Sequence, residues 1–415
     1  MRMKKTVSAS SVCAVLDAPA SKSYAQRAVA AALLADGTSE LHRMDLCDDT
    51  EAALEVARRL GADICFNGRH CAIKGGLNPQ SATLNIGESG LSTRLFTPIA
   101  ALCTYPMTIT GHGSILNRPI VAMEEPLRGL GAVVSSKEGF LPVDIQGPLC
   151  GGDITVDGAH GSQFLTGLLM SLPLAKNDST IRVQNLASKP YIDMTIEVAK
   201  AFGIELSHEN YELFYVRGGQ SYVPAVYAVE GDWSSASCLL VAGAVAGGIT
   251  INNLNPNSLQ ADQALVYALE RAGAMIESDG NTYHVKKKKL RAFEFDATDC
   301  PDLFPALVAL AANCEGHTVL KGTKRLTHKE SDRARTLADV FGALGIRVDL
   351  SEEDAMIVEG GAITGGEVSS HNDHRIAMAA AVAGLTASGP VVIDNADAVS
   401  KSYPGFWDDF SKITI

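Results

Sequence analysis

The chain lacks several features that would have placed it quickly. It has no apolar run approaching the roughly 20 residues that span a bilayer. It has no excess of positive charge: 35 lysines and arginines face 47 acidic residues, a formal net charge of −12 over 415 residues. A global binder of nucleic acid or of an anionic membrane is normally basic, so neither partner is expected. An anionic ligand would need a local basic pocket in an acidic protein. The nine cysteines (13, 47, 65, 71, 103, 150, 238, 300 and 314) contain no CxxC pair. That disfavours a zinc ribbon and a disulfide framework, and fits a reducing cytoplasm. There is no GxxxxGK[ST] phosphate loop, no GxGxxG between a strand and a helix, no GxSxG elbow and no HExxH. His371 and His374 form an HxxH, which without partners is a weak metal signal. The start imitates an export signal through Arg2, Lys4, Lys5 and Ala18-Pro19-Ala20. Ser8, Ser10, Ser11 and Asp17 interrupt its apolar part, so export is not expected.

What the chain does contain is a repeat. A small polar cluster opens a long apolar helix, often ended by glycine. The copies begin at Ser21 (SKSYAQRAVAAALLADG), Ser89 (SGLSTRLFTPIAAL), Gly161 (GSQFLTGLLMSLPLA), Asp232 (DWSSASCLLVAGAVAGG), Pro301 (PDLFPALVALAANCEG) and Asn372 (NDHRIAMAAAVAGL). The spacing is about 70 residues. A second mark keeps the same period: a mixed polar-apolar helix ends before Gly61, Gly131, Gly203, Gly273 or Gly345, positions suited to a C-cap at positive φ. Alternating stretches such as GADICFNGRHCAIKGG and GIELSHENYELFYVRGG follow and read as hairpins. Short β-branched runs at Met107–Thr110, Thr180–Val183, Ile249–Ile251 and Val391–Ile393 lie between the two helices. The unit is strand, helix, strand, helix, strand, strand.

The first helix type is apolar all round and should be buried on every side, whereas the second should lie nearer solvent. That implies an inside-out α/β architecture. Three units per domain put the boundary near Val229–Gly231, giving domains 21–229 and 1–20 plus 230–415. Residues 1–20 would supply a strand to the sixth unit, which stops without its hairpin. The Lys286–Lys289 run reads as a solvated strand edge.

Chemistry-bearing residues gather at the starts of the apolar helices and the matching loops. The cations are Lys22, Arg27, Arg94, Arg118, Lys189, Lys329, Arg333, Arg375 and Lys401. Positive side chains at positive helix ends are costly unless an anion offsets them, so the pattern points to ligands carrying phosphate and carboxylate. Ser21, Ser23, Ser162, Gln163, Ser188 and Tyr191 accompany them and suit a polyhydroxy ring. Ser21 and Ser162 also read as N-caps.

Taken together, SKSYAQR at 21–27, ESGLSTR at 88–94, NRP at 117–119, GSQF at 161–164, SKPY at 188–191, PD at 301–302, KESDR at 329–333, NDHR at 372–375 and KSYPGFW at 401–407 give the chain its resemblance to the 5-enolpyruvylshikimate-3-phosphate synthase family. The resemblance spans nearly the whole sequence in the family's order. It implies a two-domain inside-out α/β barrel, each domain built of three βαβαββ units with buried parallel helices, closing over a cleft. It implies a monomer that joins phosphoenolpyruvate to shikimate 3-phosphate with release of phosphate, needing no metal or organic cofactor. By resemblance, Lys22, Ser23, Arg27, Ser162, Gln163, Ser188, Tyr191, Asp302 and Lys329 would hold shikimate 3-phosphate. Lys22, Gly90, Arg94, Arg118, Gln163, Lys329, Arg333, Arg375 and Lys401 would hold phosphoenolpyruvate. Asp302 and Glu330 would be the acid/base pair, assisted by Lys22.

The sister enzyme that acts on UDP-N-acetylglucosamine carries a reactive cysteine before the Arg118 region, and residues 104–118 here contain none. A non-catalytic repeat scaffold would explain the period but not the charges at helix starts. The chain departs from the family pattern at Ala20, Glu88, Gly161, Arg325 and Thr327-His328, which bears on the phosphate contacts and the phosphoenolpyruvate pocket.

Overall fold

Small polar residues ahead of apolar runs become helix caps in the computed structural model, which describes residues 3–327 and 329–415. Arg2 and His328 lie outside the described residues. The chain divides into two compact units, Ala20–Val229 and, together, the residues up to Pro19 with Glu230–Ile415. Each has its own continuous apolar core. Ala20, which the sequence reading grouped with the second unit, belongs to the first. Its N–H donates to Asp45 Oδ2 at 2.7 Å.

The first unit carries helices α1 (Lys22–Leu34), α2 (Asp48–Arg59), α3 (Gly90–Ala100), α4 (Glu124–Gly129), α5 (Gln163–Ser171) and α6 (Pro190–Ala201). The second carries α7 (Trp233–Ala246), α8 (Leu265–Ala272), α9 (Phe304–Ala312), α10 (Arg333–Ala343), α11 (His374–Gly384) and α12 (Phe406–Ile413). The odd-numbered helices are the apolar type. Every residue of α7, α9 and α11 is buried. Helices without a polar face can only sit among other elements, and their alanines allow close approach. The even-numbered helices are amphipathic. Helix α2 opens with Asp48, Asp49 and Glu51 and closes with Arg58 and Arg59, which suits its dipole, and buries Ala53, Leu54, Val56 and Ala57.

Caps fix where the apolar helices begin. Ser21 accepts from the Tyr24 N–H, Ser89 from Ser92, Asp232 from Ser235 and Asp373 from Arg375. Ser162 is a correction: it occupies the cap position of α5 but makes no side-chain cap bond. The glycines after α2, α4, α6, α8 and α10 all have positive φ, and Gly273 at φ 87° is a left-handed C-cap.

Among the described residues the strands form one three-stranded and five four-stranded sheets, mixing parallel and antiparallel pairs. In the first unit, Val226–Ala228 joins Thr38–His42 in parallel. The N-terminal segment supplies two strands to the second unit. Lys5–Val7 pairs antiparallel with Val391–Asp394, and Val12–Asp17 pairs parallel with Gly247–Asn252. The lysine run needs correcting. Lys286–Lys289 is exposed, but Thr282–Lys286 is an interior strand with neighbours on both sides, so the run marks the strand's exit rather than a sheet edge.

A third periodic mark escaped the sequence reading. Each hairpin in four of the repeats ends on a glycine pressed against the C-terminal carbonyls of that repeat's apolar helix. A Cβ on Gly75 would overlap the Ala32 carbonyl oxygen, on Gly147 that of Ala101, on Gly360 that of Cys314, and on Gly218 that of Ala175, which caps the 3₁₀ turn after α5. Residues just beyond supply N–H groups to the same ends: Gly76 to Leu33, Leu149 to Ala101, Gly219 to Ala175 and Gly361 to Ala312. Helix ends leave carbonyls unpaired, and this strand exit closes them. Because the clash is with backbone, Gly147→Ala should cost about 1–3 kcal/mol, read as a lower denaturant midpoint at unchanged m-value.

Candidate active site

Within the first unit, the starts of α1, α3 and α5 are tied together by two residues of α1. Gln26, 1% exposed, accepts hydrogen bonds from Ser89 Oγ at 3.1 Å and Ser92 Oγ at 2.9 Å. Arg27, also 1% exposed, donates to Thr195 Oγ1, the Ser23 carbonyl, Thr166 Oγ1 and the Tyr191 carbonyl. All four acceptors are neutral. Burial pushes its guanidinium down to about 10. Arg27, expected as a substrate ligand, is therefore engaged in holding Ser23 and Tyr191 in place.

Around these ties lie Lys22, Ser23, Ser162, Gln163, Ser188 and Tyr191. Lys22 stands at the first position of α1, its Nζ 2.8 Å from Asp49 Oδ2. Ser188 holds a left-handed backbone (φ 61°), uncommon for serine, and its carbonyl accepts from the Tyr191 N–H. Gly161, the position lacking the usual hydroxyl, also has positive φ (123°).

The start of α3 holds a different arrangement. The Arg118 guanidinium covers Gly90 so closely that a Cβ there would lie 2.7 Å from Arg118 Cζ. Arg118 is 8% exposed and its buried Nε has no hydrogen-bond partner. Arg94 donates to the Gly90 and Pro119 carbonyls. Among the described residues neither arginine has an ion pair. Burial, with Arg118 close by, pushes Arg94 down to about 9. Two buried guanidinium groups without a carboxylate form a site that gains from an anion. Glu88 accepts from the N–H and hydroxyl of Ser114 and thereby fixes the turn leading to Arg118.

In the second unit the cations are instead matched by carboxylates. Asp302 lies in the 3₁₀ turn Pro301–Leu303 ahead of α9. Its Oδ1 is 2.8 Å from Arg333 Nη1 and 3.1 Å from Lys329 Nζ, and its Oδ2 is 3.4 Å from Arg375 Nη2. Arg333, with a fully buried side chain, also meets Glu330 Oε2 at 2.6 Å and Asp373 Oδ2 at 2.9 Å. Burial alone would lower its pKa; Asp373, Glu330 and Asp302 outweigh that and raise it. Arg333, expected among the phosphoenolpyruvate ligands, is surrounded by carboxylates. Arg375 reaches the Ser234 carbonyl of α7 as well as Asp302, so the starts of α7, α9 and α11 meet at one guanidinium. Lys401 donates to the Asn372 carbonyl at 2.8 Å, beside two consecutive left-handed residues, His371 and Asn372. Burial lowers Lys329 from the usual lysine range, with Arg333 adding to it and Asp302 opposing it.

Within the second unit, two carboxylates held among cations suit acid/base chemistry on an anionic substrate. Residues 8–410 match the family model for EPSP synthase (3-phosphoshikimate 1-carboxyvinyltransferase). The chain belongs to this family. It is 39% identical to the 3-phosphoshikimate 1-carboxyvinyltransferase of Methanocorpusculum labreanum, over 99% of this chain and 98% of that relative. Similarity to the enzyme of the same name from Thermococcus kodakarensis is 38% identity, covering 96% of each. Among solved structures, EPSP synthase from Acinetobacter baumannii matches with a TM-score of 0.84 at 27% identity, over 100% of this chain and 98% of that one.

Sequence reasoning missed the residues that hold the site together: Gln26, Asp49, Thr166, Thr195 and Asp373. Asp373 had a signal, since it sits inside NDHR and caps α11. Gln26 had one too, between Ser23 and Arg27 on the same helix. His371 and His374 join no three-residue cluster of metal-ligating atoms among the described residues. Asp373, with no side-chain exposure, is Arg333's most buried partner. Asp373→Ala should therefore cost about 3–5 kcal/mol of stability, seen as a lower midpoint in chemical denaturation.

Proposed function

We propose that the chain transfers the enolpyruvyl group of phosphoenolpyruvate to the 5-hydroxyl of shikimate 3-phosphate, releasing phosphate, in chorismate and aromatic amino acid biosynthesis. Family membership supports the reaction. The observation that carries the site assignment is the Asp302 carboxylate beside Glu330, among Lys329, Arg333 and Arg375.

On this reading Lys22, Ser23, Ser162, Gln163, Ser188 and Tyr191 of the first unit, with Asp302 and Lys329 of the second, hold shikimate 3-phosphate. Arg27 supplies charge and positions Ser23. Lys22, Gly90, Arg94, Arg118 and Gln163, with Lys329, Arg375 and Lys401, hold phosphoenolpyruvate. Arg333 positions the two carboxylates. The ring hydroxyl loses its proton to Asp302 as its oxygen attacks C2 of phosphoenolpyruvate, while C3 gains a proton from Glu330. The resulting tetrahedral intermediate collapses, the C2–O bond to phosphate breaks, C3 returns a proton and the enol ether remains. Lysine and arginine stabilise the anionic groups throughout, and Lys22 assists proton transfer. The protein chemistry needs no metal or organic cofactor.

We read each unit as an inside-out barrel of three βαβαββ repeats, which the fully buried helices and the outward alternation of the strands support. A monomer in a reducing cytoplasm is the accompanying reading; the nine unpaired cysteines support the reducing compartment. No helix among the described residues is long and apolar enough to cross a membrane.

The test is phosphate release from phosphoenolpyruvate with and without shikimate 3-phosphate. Release only with both present is expected. Release with a UDP sugar instead, or none at all, would refute the assignment. Asp302→Asn should keep the fold and lower turnover by about 10²–10⁴-fold; unchanged turnover would remove Asp302 from the mechanism. Lys329 must stay protonated to serve anions, and its lowered pKa means that charge disappears below the ordinary lysine range as pH rises. The alkaline limb of kcat/KM should accordingly fall there, and Lys329→Arg should shift that limb to higher pH.

A further inference from the structure

Away from these residues, in the first sheet of the first unit, three ligating side chains converge. Strand Thr38–His42 pairs antiparallel with His70–Lys74 in a register that sets His42 opposite His70 and Glu40 opposite Ala72. Side chains alternate faces along a strand, so Glu40 and His42 share a face, and His70 joins them across the pair. The small Ala72 leaves that face open beside Glu40. Glu40 Oε2 lies 3.7 Å from His42 Nε2 and 3.9 Å from His70 Nε2. The ligand atoms of all three lie within 4.8 Å of one another.

These separations are too long for hydrogen bonds, and the two imidazole rings lie against each other with centroids 4.8 Å apart, so the three side chains are grouped but not hydrogen-bonded to one another. The separations are close to what a metal requires. Bonds of roughly 2.0–2.1 Å at the tetrahedral angle put ligand atoms about 3.3–3.4 Å apart. Small rotamer adjustments on a rigid two-strand scaffold close that gap. Two imidazoles disfavour magnesium and calcium, which take oxygen ligands, and suit zinc-class ions. Three protein ligands leave one position for water.

We propose that Glu40, His42 and His70 bind one divalent ion of the zinc class. The ion cross-links two strands, the first of which runs directly into the loop carrying Asp45 and on to the first turn of α2, which carries Asp49. Those aspartates hold the Ala20 N–H and the Lys22 ammonium. The ion is structural in this assignment and separate from the transfer chemistry. Cys65, opposite Ala72 on the next strand, shares the face, yet its sulfur is not part of the converging set.

Zinc titrated into the metal-free full chain by calorimetry tests this. Cys13, Cys65 and Cys150 are exposed and would compete for the metal, so the titration is done with all three changed to serine. One equivalent should bind and raise the melting temperature. Affinity should fall more than about tenfold in each of His42→Ala, His70→Ala and Glu40→Gln, whose side chains are exposed enough to spare the fold. Cobalt in the unmodified chain should give a tetrahedral spectrum without thiolate charge-transfer absorption. Undiminished zinc affinity in the His42→Ala/His70→Ala double variant, no binding to the cysteine-free chain, or a cobalt–thiolate band that the serine changes abolish would each overturn the proposal.

Discussion

A guanidinium taken out of water must be met by negative charge, and the two units answer that demand in opposite ways. In the second unit Arg333 is enclosed by Asp302, Glu330 and Asp373, so its charge is balanced by the protein itself. In the first, the Arg94 guanidinium donates to two carbonyls and the buried Nε of Arg118 has no partner, and burial with Arg118 close by pushes Arg94 down. A balanced cluster orients carboxylates for proton transfer. An unbalanced one waits for an anion. The proposed reaction needs both, because it moves protons on substrates that carry phosphate and carboxylate.

The architecture explains how so many charges are held at helix starts. Helices with no polar face are forced inward, and their capped N-termini become the places where polar side chains collect. Gln26 and Arg27 join three such starts in one unit, and Arg375 joins three in the other. The opposite ends are closed by hairpin glycines pressed onto the last carbonyls. In four repeats one end of the buried helix is therefore sealed by backbone, and the other carries polar side chains.

Much of this was legible in the residues, and the reasons differ by element. The apolar runs and the glycines after the amphipathic helices are local signals, and both marks are where the period put them. Contacts set by packing were not legible. No spacing rule pairs Lys22 with Asp49 or places Thr195 against Arg27, because the first pair joins two helices of one repeat and the second joins the first repeat to the third. The partners of Arg27 and Arg333 were hidden for the same reason: composition supplies a cation, but only the fold decides whether neutral acceptors or carboxylates face it. The Glu40–His42–His70 convergence likewise depends on hairpin register, which the 27 positions between His42 and His70 do not reveal.

The central claim is that the uncompensated arginine pair over Gly90 is the seat of an anionic substrate. Calorimetric titration of phosphoenolpyruvate into Gly90→Ala tests it most directly, since the added methyl can only displace the Arg118 guanidinium. Affinity for phosphoenolpyruvate should drop by about tenfold or more, an energy of about 1.4 kcal/mol, while the melting temperature and the affinity for shikimate 3-phosphate hold. Unchanged phosphoenolpyruvate affinity in a folded Gly90→Ala protein would contradict the account.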